Sequence, residues 1–376
     1  MHRFPRRVMF APVRAVLASG LLVAGLVSQR SVVVPAGSLA ADGRSATATF
    51  LGGFEGRVQV LIDRSLLAGL AARPIRRIAV RRDAATDAAL PGGLAGGWID
   101  LTIRASWTSA SARQPSRSFG VNAGRAPVVV FQRAYHVPDC PPLGRAVATF
   151  AAKESAHIQL QKPIAWSARG NLCLDFSIRP HASRPLPGPW VADIARPAPT
   201  QQTFFGQSCW RAGRKDRQAN RMNADAKVGG TLTSWTLGPD ASLAMFVLGA
   251  SNTRWGPMPL PLDLGSVGAP GCRLYVSQDI VAVGWTARAP RTPHATVAFG
   301  LALPYVRSLA GSRVFSQWIF FDRKANSAGI TTTNGASVLI AAAPKQPIAM
   351  VEADSATARV GRTSVGTAPV LRLYDN

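Results

Sequence analysis

Negative charge is scarce in this chain of 376 residues: 19 Asp and Glu stand against 43 Lys and Arg, a formal net charge of +24. Glutamate occurs only as Glu55, Glu154 and Glu352. That leaves little material for a hydrolase built on two carboxylates facing each other across a cleft. Lysine is also rare, so the basic character is arginine. There is no CxxC pair, and the only histidine near a cysteine at ligand spacing is His136, four residues before Cys140, which argues against zinc. A P-loop, a dinucleotide fingerprint, HExxH and an EF-hand loop are all missing. Ser208, in the string Gly206-Gln207-Ser208-Cys209, lacks the second glycine of a nucleophile elbow. Neither a cofactor nor a metal is therefore expected. Helix-favouring composition is confined to residues 65–72, and Pro74 stops it.

What the chain does have begins at its amino end. Arg3, Arg6, Arg7 and Arg14 lead into an uncharged apolar run over 15–27, and Ser38-Leu39-Ala40 supplies small residues for a peptidase. Residues 1–40 thus read as a signal peptide cleaved near Ala40. Arg6-Arg7 is half of a twin-arginine signal, but its flanks fit ordinary secretion better. The apolar run is too short for a permanent transmembrane anchor. The expected location is secreted, periplasmic or at the cell surface, where cysteines form disulfides.

Period-two alternation dominates the rest. In residues 98–107, Ile99, Leu101, Ile103, Ala105 and Trp107 share one face and Asp100, Thr102, Arg104 and Ser106 the other, the pattern of a half-buried strand. Val58, Val60 and Ile62 repeat it, as do Ala156, Ile158 and Leu160, and Val297, Phe299 and Leu301. Apolar runs at 128–131, 243–248, 280–283, 314–321 and 337–342 predict further strands, with Gly, Pro, Asn and Asp as punctuation. The expected class is all-β, two β-sandwich (jelly-roll-like) domains in tandem. Their bounds are 41–182 and 200–343, joined by a proline-rich linker over 183–199. The tail over 344–376 either adds a hairpin to the second domain or stays loose. Of the three ways to pair four cysteines, Cys140 with Cys173 and Cys209 with Cys272 keeps each bridge inside one domain.

The densest basic segment holds Arg211, Arg214, Lys215, Arg217, Arg221 and Lys227, a loop of guanidinium groups suited to sulfate, phosphate or carboxylate on a polymer. Its plainer reading is a solvated loop in an arginine-rich chain. A second cluster, Arg73, Arg76, Arg77, Arg81 and Arg82, reads as a strand edge guarded by charge. Trp98, on an otherwise polar strand face, is a candidate platform for sugar stacking, whereas Trp107, Trp285 and Trp318 read as core. Asp100 with Asp175 is one example of a carboxylate pair able to meet in three dimensions, and the plainer reading of Asp175 is a strand end or a turn residue. His157 and His294 read as solvated residues.

Several strings carry a resemblance. They are Arg57-Val58-Gln59-Val60, Ile75-Arg76-Arg77-Ile78-Ala79-Val80, Phe119-Gly120-Val121-Asn122 and Gly170-Asn171-Leu172-Cys173-Leu174-Asp175. Together they resemble a module that recurs in exported proteins of planctomycete-type bacteria. Gly206-Gln207-Ser208-Cys209, Leu260-Pro261-Leu262-Asp263-Leu264 and Gly268-Ala269-Pro270-Gly271-Cys272 resemble a second such module. The resemblance implies tandem β-sandwich-like units with a Cys209–Cys272 bridge, and no chemistry. Cys173 departs from the pattern, where leucine is usual, and Cys140 reads as its matching addition.

These features converge on an exported, non-catalytic binding or structural protein, with an anionic polysaccharide or another acidic polymer as partner. Nucleic acid is not indicated by any motif. The alternative is a carbohydrate-active hydrolase with an aspartate pair on a sandwich face, and a third reading is an envelope-layer subunit.

Overall fold

The computed structural model describes residues 30–47, 50–85, 92–188, 190–197, 200–209, 219–222, 226–288 and 295–376, with only the backbone course over 44–47. Almost all regular structure is strand. The first nine strands are β1 (Ser31–Val34), β2 (Arg44–Thr47), β3 (Gly56–Ile62), β4 (Ile75–Arg81), β5 (Gly97–Thr108), β6 (Val128–Val137), β7 (Ser155–Ile164), β8 (Asn171–Pro180) and β9 (Ala192–Ala195). Next come β10 (Gln202–Phe205), β11 (Arg221–Met222), β12 (Thr231–Gly238), β13 (Leu243–Gly249), β14 (Arg254–Trp255), β15 (Met258–Pro259), β16 (Leu262–Asp263) and β17 (Arg273–Leu274). They are followed by β18 (Ile280–Trp285), β19 (Ala287–Arg288), β20 (Ala295–Ala302), β21 (Arg313–Phe321), β22 (Ile330–Thr332) and β23 (Gly335–Leu339). The last four are β24 (Ile348–Ala353), β25 (Arg362–Val365), β26 (Ala368–Pro369) and β27 (Leu371–Tyr374).

The strands form antiparallel sheets. One is ordered β25-β24-β3-β8-β5-β6, a second β1-β27-β4-β7 and a third β2-β9-β26. Later residues build β10-β23-β21-β13-β18, with β22 on β21, and β11-β12-β20-β19. The alternation read in β5 is real. Ile99, Leu101 and Ile103 enter a core with Val58, Val60 and Ile62 of β3, Ile78 and Val80 of β4, Ile158 of β7 and Leu371 and Leu373 of β27. Each such side chain contributes about 1.5–3 kcal/mol by leaving water. A second core joins Leu232 and Val297 to Phe246, Trp318, Phe320 and Val338. A third covers the other face of β13 and β21 with Leu260, Leu274, Tyr275 and Val276. Cys209 and Cys272 are bridged beside it, with Cα atoms 4.8 Å apart.

The helix-favouring segment forms a 3₁₀ helix rather than an α-helix. It spans Arg64–Leu70, and the Asp63 side chain accepts from Ser65 N at its start. Among the described residues no helix is long and apolar enough to cross a membrane.

Several expectations are corrected by strand pairing. The tail pairs with the early strands, not with the later sheets: β24 lies antiparallel to β3, and β27 lies between β1 and β4. The proline-rich stretch is packed rather than strung out. Trp190 is fully buried, β9 pairs β2 and β26, and Trp98 N donates to Pro185 O. Gly97 permits that approach, since a Cβ there would meet Pro187 N at 2.2 Å.

Cys140 and Cys173 are both buried free thiols, not a bridge. Cys173 lies opposite Ser106 on β5, whereas Cys140 bridges to Leu94, before Gly97 begins that strand. Gly97 and Ser106 alone are about 30 Å apart at ~3.3 Å per residue, and a disulfide needs Cα atoms within about 7 Å. Burial pushes both thiols up, Cys173 furthest.

The arginine cluster around β4 is no guarded edge, because β4 is an inner strand between β27 and β7. Arg81 and Arg82 are fully buried. Arg81 pairs with Asp193 and donates to Ser38 O and Ala41 O, and Arg82 donates to Pro141 O. A buried guanidinium persists because its donors are met by carbonyls and a carboxylate. Trp318 is core as expected, but Trp285 is 67% exposed, because β18 ends its sheet.

Candidate functional site: an arginine groove

The polar face of β5 does not stand alone. Thr102 lies opposite Ser177 on β8 and Gln132 on β6, and Ser177 lies opposite Arg57 on β3. One row of the sheet thus reads Arg57, Ser177, Thr102, Gln132. Two residues to one side, Asp100 faces Arg179; two residues to the other, Arg104 faces Asp175. All of these except Asp175, with Arg133, Ala134, Leu101, Ala356 and Thr357, line a groove of about 700 Å³. Hydroxyls occupy its middle and arginines its margins, with Arg179 and Arg104 about 14 Å apart along the strands.

Arg57 is the fixed member. Its Nε donates to Asp175 Oδ1 at 2.9 Å and its NH2 to Oδ2 at 2.6 Å. NH1 donates to Ala358 O at 2.7 Å, and the guanidinium covers the Phe119 ring at 4.3 Å. Gln59 Nε2 donates to Phe119 O and, at 3.3 Å, to Asp175 Oδ2. Asp175 is therefore sealed under Arg57, its side chain 3% exposed. Arg104, Arg133 and Arg179 form no ion pair among the described residues. Glu55 anchors the groove's wall, accepting from Ala356 N and Ser355 Oγ at 3.0 Å each. Those bonds, the backbone one first, hold its carboxyl below the usual range.

Placed against this geometry, the earlier candidates scatter. Arg211, Arg214, Lys215, Arg217 and His294 lie outside the described residues. Arg221 is exposed and stacks over Trp235 at 4.9 Å, beside a second cleft of about 610 Å³ that includes Phe204, Asn220 and Asn334. Lys227 is buried, 5% exposed, and so does not join a surface loop. Trp98 meets His136 edge-on at 5.1 Å, and Arg184 covers its ring at 4.1 Å, so that face already holds a cation. Asp100 and Asp175 share the sheet face. They sit at positions four residues apart along β5, about 14 Å, beyond the ~10 Å limit of a glycosidase pair.

One Ser–His contact was not foreseen. Ser155 Oγ lies 2.8 Å from His157 Nε2, but Nε2 also meets Phe150 O at 3.0 Å, and Ser155, fully buried, donates to Ala151 O. A proton on Nε2 satisfies both neighbours and leaves no base facing the serine. Burial, then Arg77, pulls the His157 pKa down, so the ring is neutral at pH 7.

Asp42, Asp83 and Asp193 bring carboxylate oxygens within 4.8 Å of one another, a donor set a hard cation accepts. Arg81 already supplies a positive charge there. Burial above all, with Asp42 and Asp83 adding to it, pushes Asp193 up to about 6 against the pull of Arg81.

Comparison with known proteins gives no match to a family model, a curated protein or a solved structure.

Proposed function

We propose that this chain is an exported, non-catalytic binding protein of two β-sandwich units, and that its arginine groove holds a stretch of acidic polymer. The observation that carries the reading is the groove itself, where Arg104 and Arg179, neither in an ion pair among the described residues, flank a floor of hydroxyls with Asp100 in the lining; Arg133, opposite Leu101 and stacked on Phe131, projects from the other face. Guanidinium groups match carboxylate and sulfate in paired hydrogen bonds, and Ser177 and Thr102 add neutral donors between them. Arg57 stays committed to Asp175 and shapes the site rather than supplying charge. An export signal under this reading ends upstream of Ser31, because β1 is part of a sheet and Arg81 uses the carbonyl of Ser38. The aspartate pair of the hydrolase alternative gains no support from its spacing.

The test is titration of the full chain with heparin, polygalacturonate and, as an uncharged control, dextran. The two anionic chains should bind at low salt, lose affinity as salt rises and lose at least about tenfold when Arg104 and Arg179 are both changed to Gln. Equal binding by the double variant would move the site elsewhere, and no binding at low salt would end the proposal.

A further inference from the structure

Acids are few in this chain, yet two of them stand at one end of the arginine groove. Asp100 lies opposite Arg179 across the strands. Glu55 is near as well, since hydrogen bonds from Ala356 and Ser355, and then the charge of Arg179, hold its carboxyl below the usual range. The two ends of the groove therefore differ. Beside Arg104 the neighbouring carboxylate, Asp175, is taken up by Arg57. Beside Arg179 the Asp100 side chain is open, 52% exposed, with His181 Nε2 3.9 Å away, beyond hydrogen-bond length. Among the described residues that carboxylate accepts no hydrogen bond. Half-buried Thr102 and Ser177 lie between the two ends.

Resting on the acidic-polymer reading of this groove, we infer that Asp100 determines its specificity, selecting acidic polysaccharide over polymers that carry charge without hydroxyls. A carboxylate only accepts, so Asp100 rewards a ligand that brings a donor beside its acid group. A sugar ring does this. Its acid group meets Arg179 while a hydroxyl of the same chain donates to Asp100, a charge-assisted bond roughly twice as strong as a neutral one. A phosphate oxygen placed there meets like charge and supplies no proton, and such repulsion excludes wrong partners. The spacing points the same way. Arg179 and Arg104 are about 14 Å apart along the strands, and Thr102 and Ser177 between them offer hydroxyls rather than charge. The stretch of ligand between two docked acid groups is therefore polyol.

The test compares hyaluronan, in which a uronate alternates with an uncharged amino sugar, with polyphosphate of matched charge, both titrated into the full chain. Asp100→Asn should lower the ratio of hyaluronan to polyphosphate affinity at least about tenfold, by admitting the phosphate chain and losing the hydroxyl's acceptor charge. Asp100→Glu should keep the wild-type order, and the melting temperature should not move in either variant. Asp263→Asn, at an exposed acid of another sheet, should leave the ratio unchanged. A smaller shift in Asp100→Asn, or an equal one in Asp263→Asn, overturns the inference while leaving the groove an acidic-polymer site. If neither chain binds, and heparin and polygalacturonate do not either, the reading of the groove falls and the role of Asp100 with it.

Discussion

Arg57 holds Asp175 through two parallel hydrogen bonds across neighbouring strands, 2.9 and 2.6 Å long, with the carboxylate sealed beneath the guanidinium. This pairing separates what stabilises the groove from what its rim offers to a ligand.

Arg57→Ala strands a buried carboxylate and should lower unfolding free energy by about 3 kcal/mol. Arg104→Gln, at a position with no ion pair to lose, should change stability by less than about 0.5 kcal/mol while weakening heparin. Urea unfolding and heparin titration of both variants measure the contrast.

The sulfur chemistry can be read directly. Alkylation of the denatured, unreduced chain should label Cys140 and Cys173 and leave Cys209 and Cys272 joined, as peptide mapping would record. Replacing both bridged cysteines with serine should cost up to about 4 kcal/mol, given the 63-residue separation and the entropy of closing such a loop.

Asp193 makes stability depend on pH. Its pKa is raised from 3.8 to about 6 in the folded chain, so the folded state holds the extra proton. The resulting stabilisation is complete below 3.8 and is lost as pH rises through 6. Between about pH 5 and 7.5 the unfolding free energy should fall by about 1 kcal/mol from this group. Asp193→Asn should flatten that part of the profile in urea titrations.

A chain beginning at Ala41 loses β1, buried Val34 and the Ser38 carbonyl that Arg81 uses. Its unfolding free energy should drop by at least about 3 kcal/mol. Denaturant curves of the two lengths decide this, and if the chain is processed on export as proposed, amino-terminal sequencing should find a start upstream of Ser31.

Strand content was legible because period-two alternation is local: Ile99, Leu101 and Ile103 announce a buried face wherever their strand ends up. The same was true of β13 and β21, whose apolar runs need no partner to be recognised, and of the Cys209–Cys272 bridge. The groove was not legible. Arg57, Arg104 and Arg179 lie up to 122 residues apart, and only strand register gathers them around Ser177 and Thr102. The dense basic segment is conspicuous because its charges adjoin in sequence, yet one of its members, Lys227, is buried. Trp285 misled for a related reason. A tryptophan in an apolar run looks like core until the sheet's order places its strand last among the described residues.

Composition and alternation therefore determined by themselves that this chain is built of strands, rich in arginine and poor in acids, because those properties belong to residues and their near neighbours. Which arginines are buried at Asp193, which line the groove, which thiols stay apart and which edge is left open were decided only by tertiary pairing. Register between distant strands sets those distances, and no local pattern encodes it.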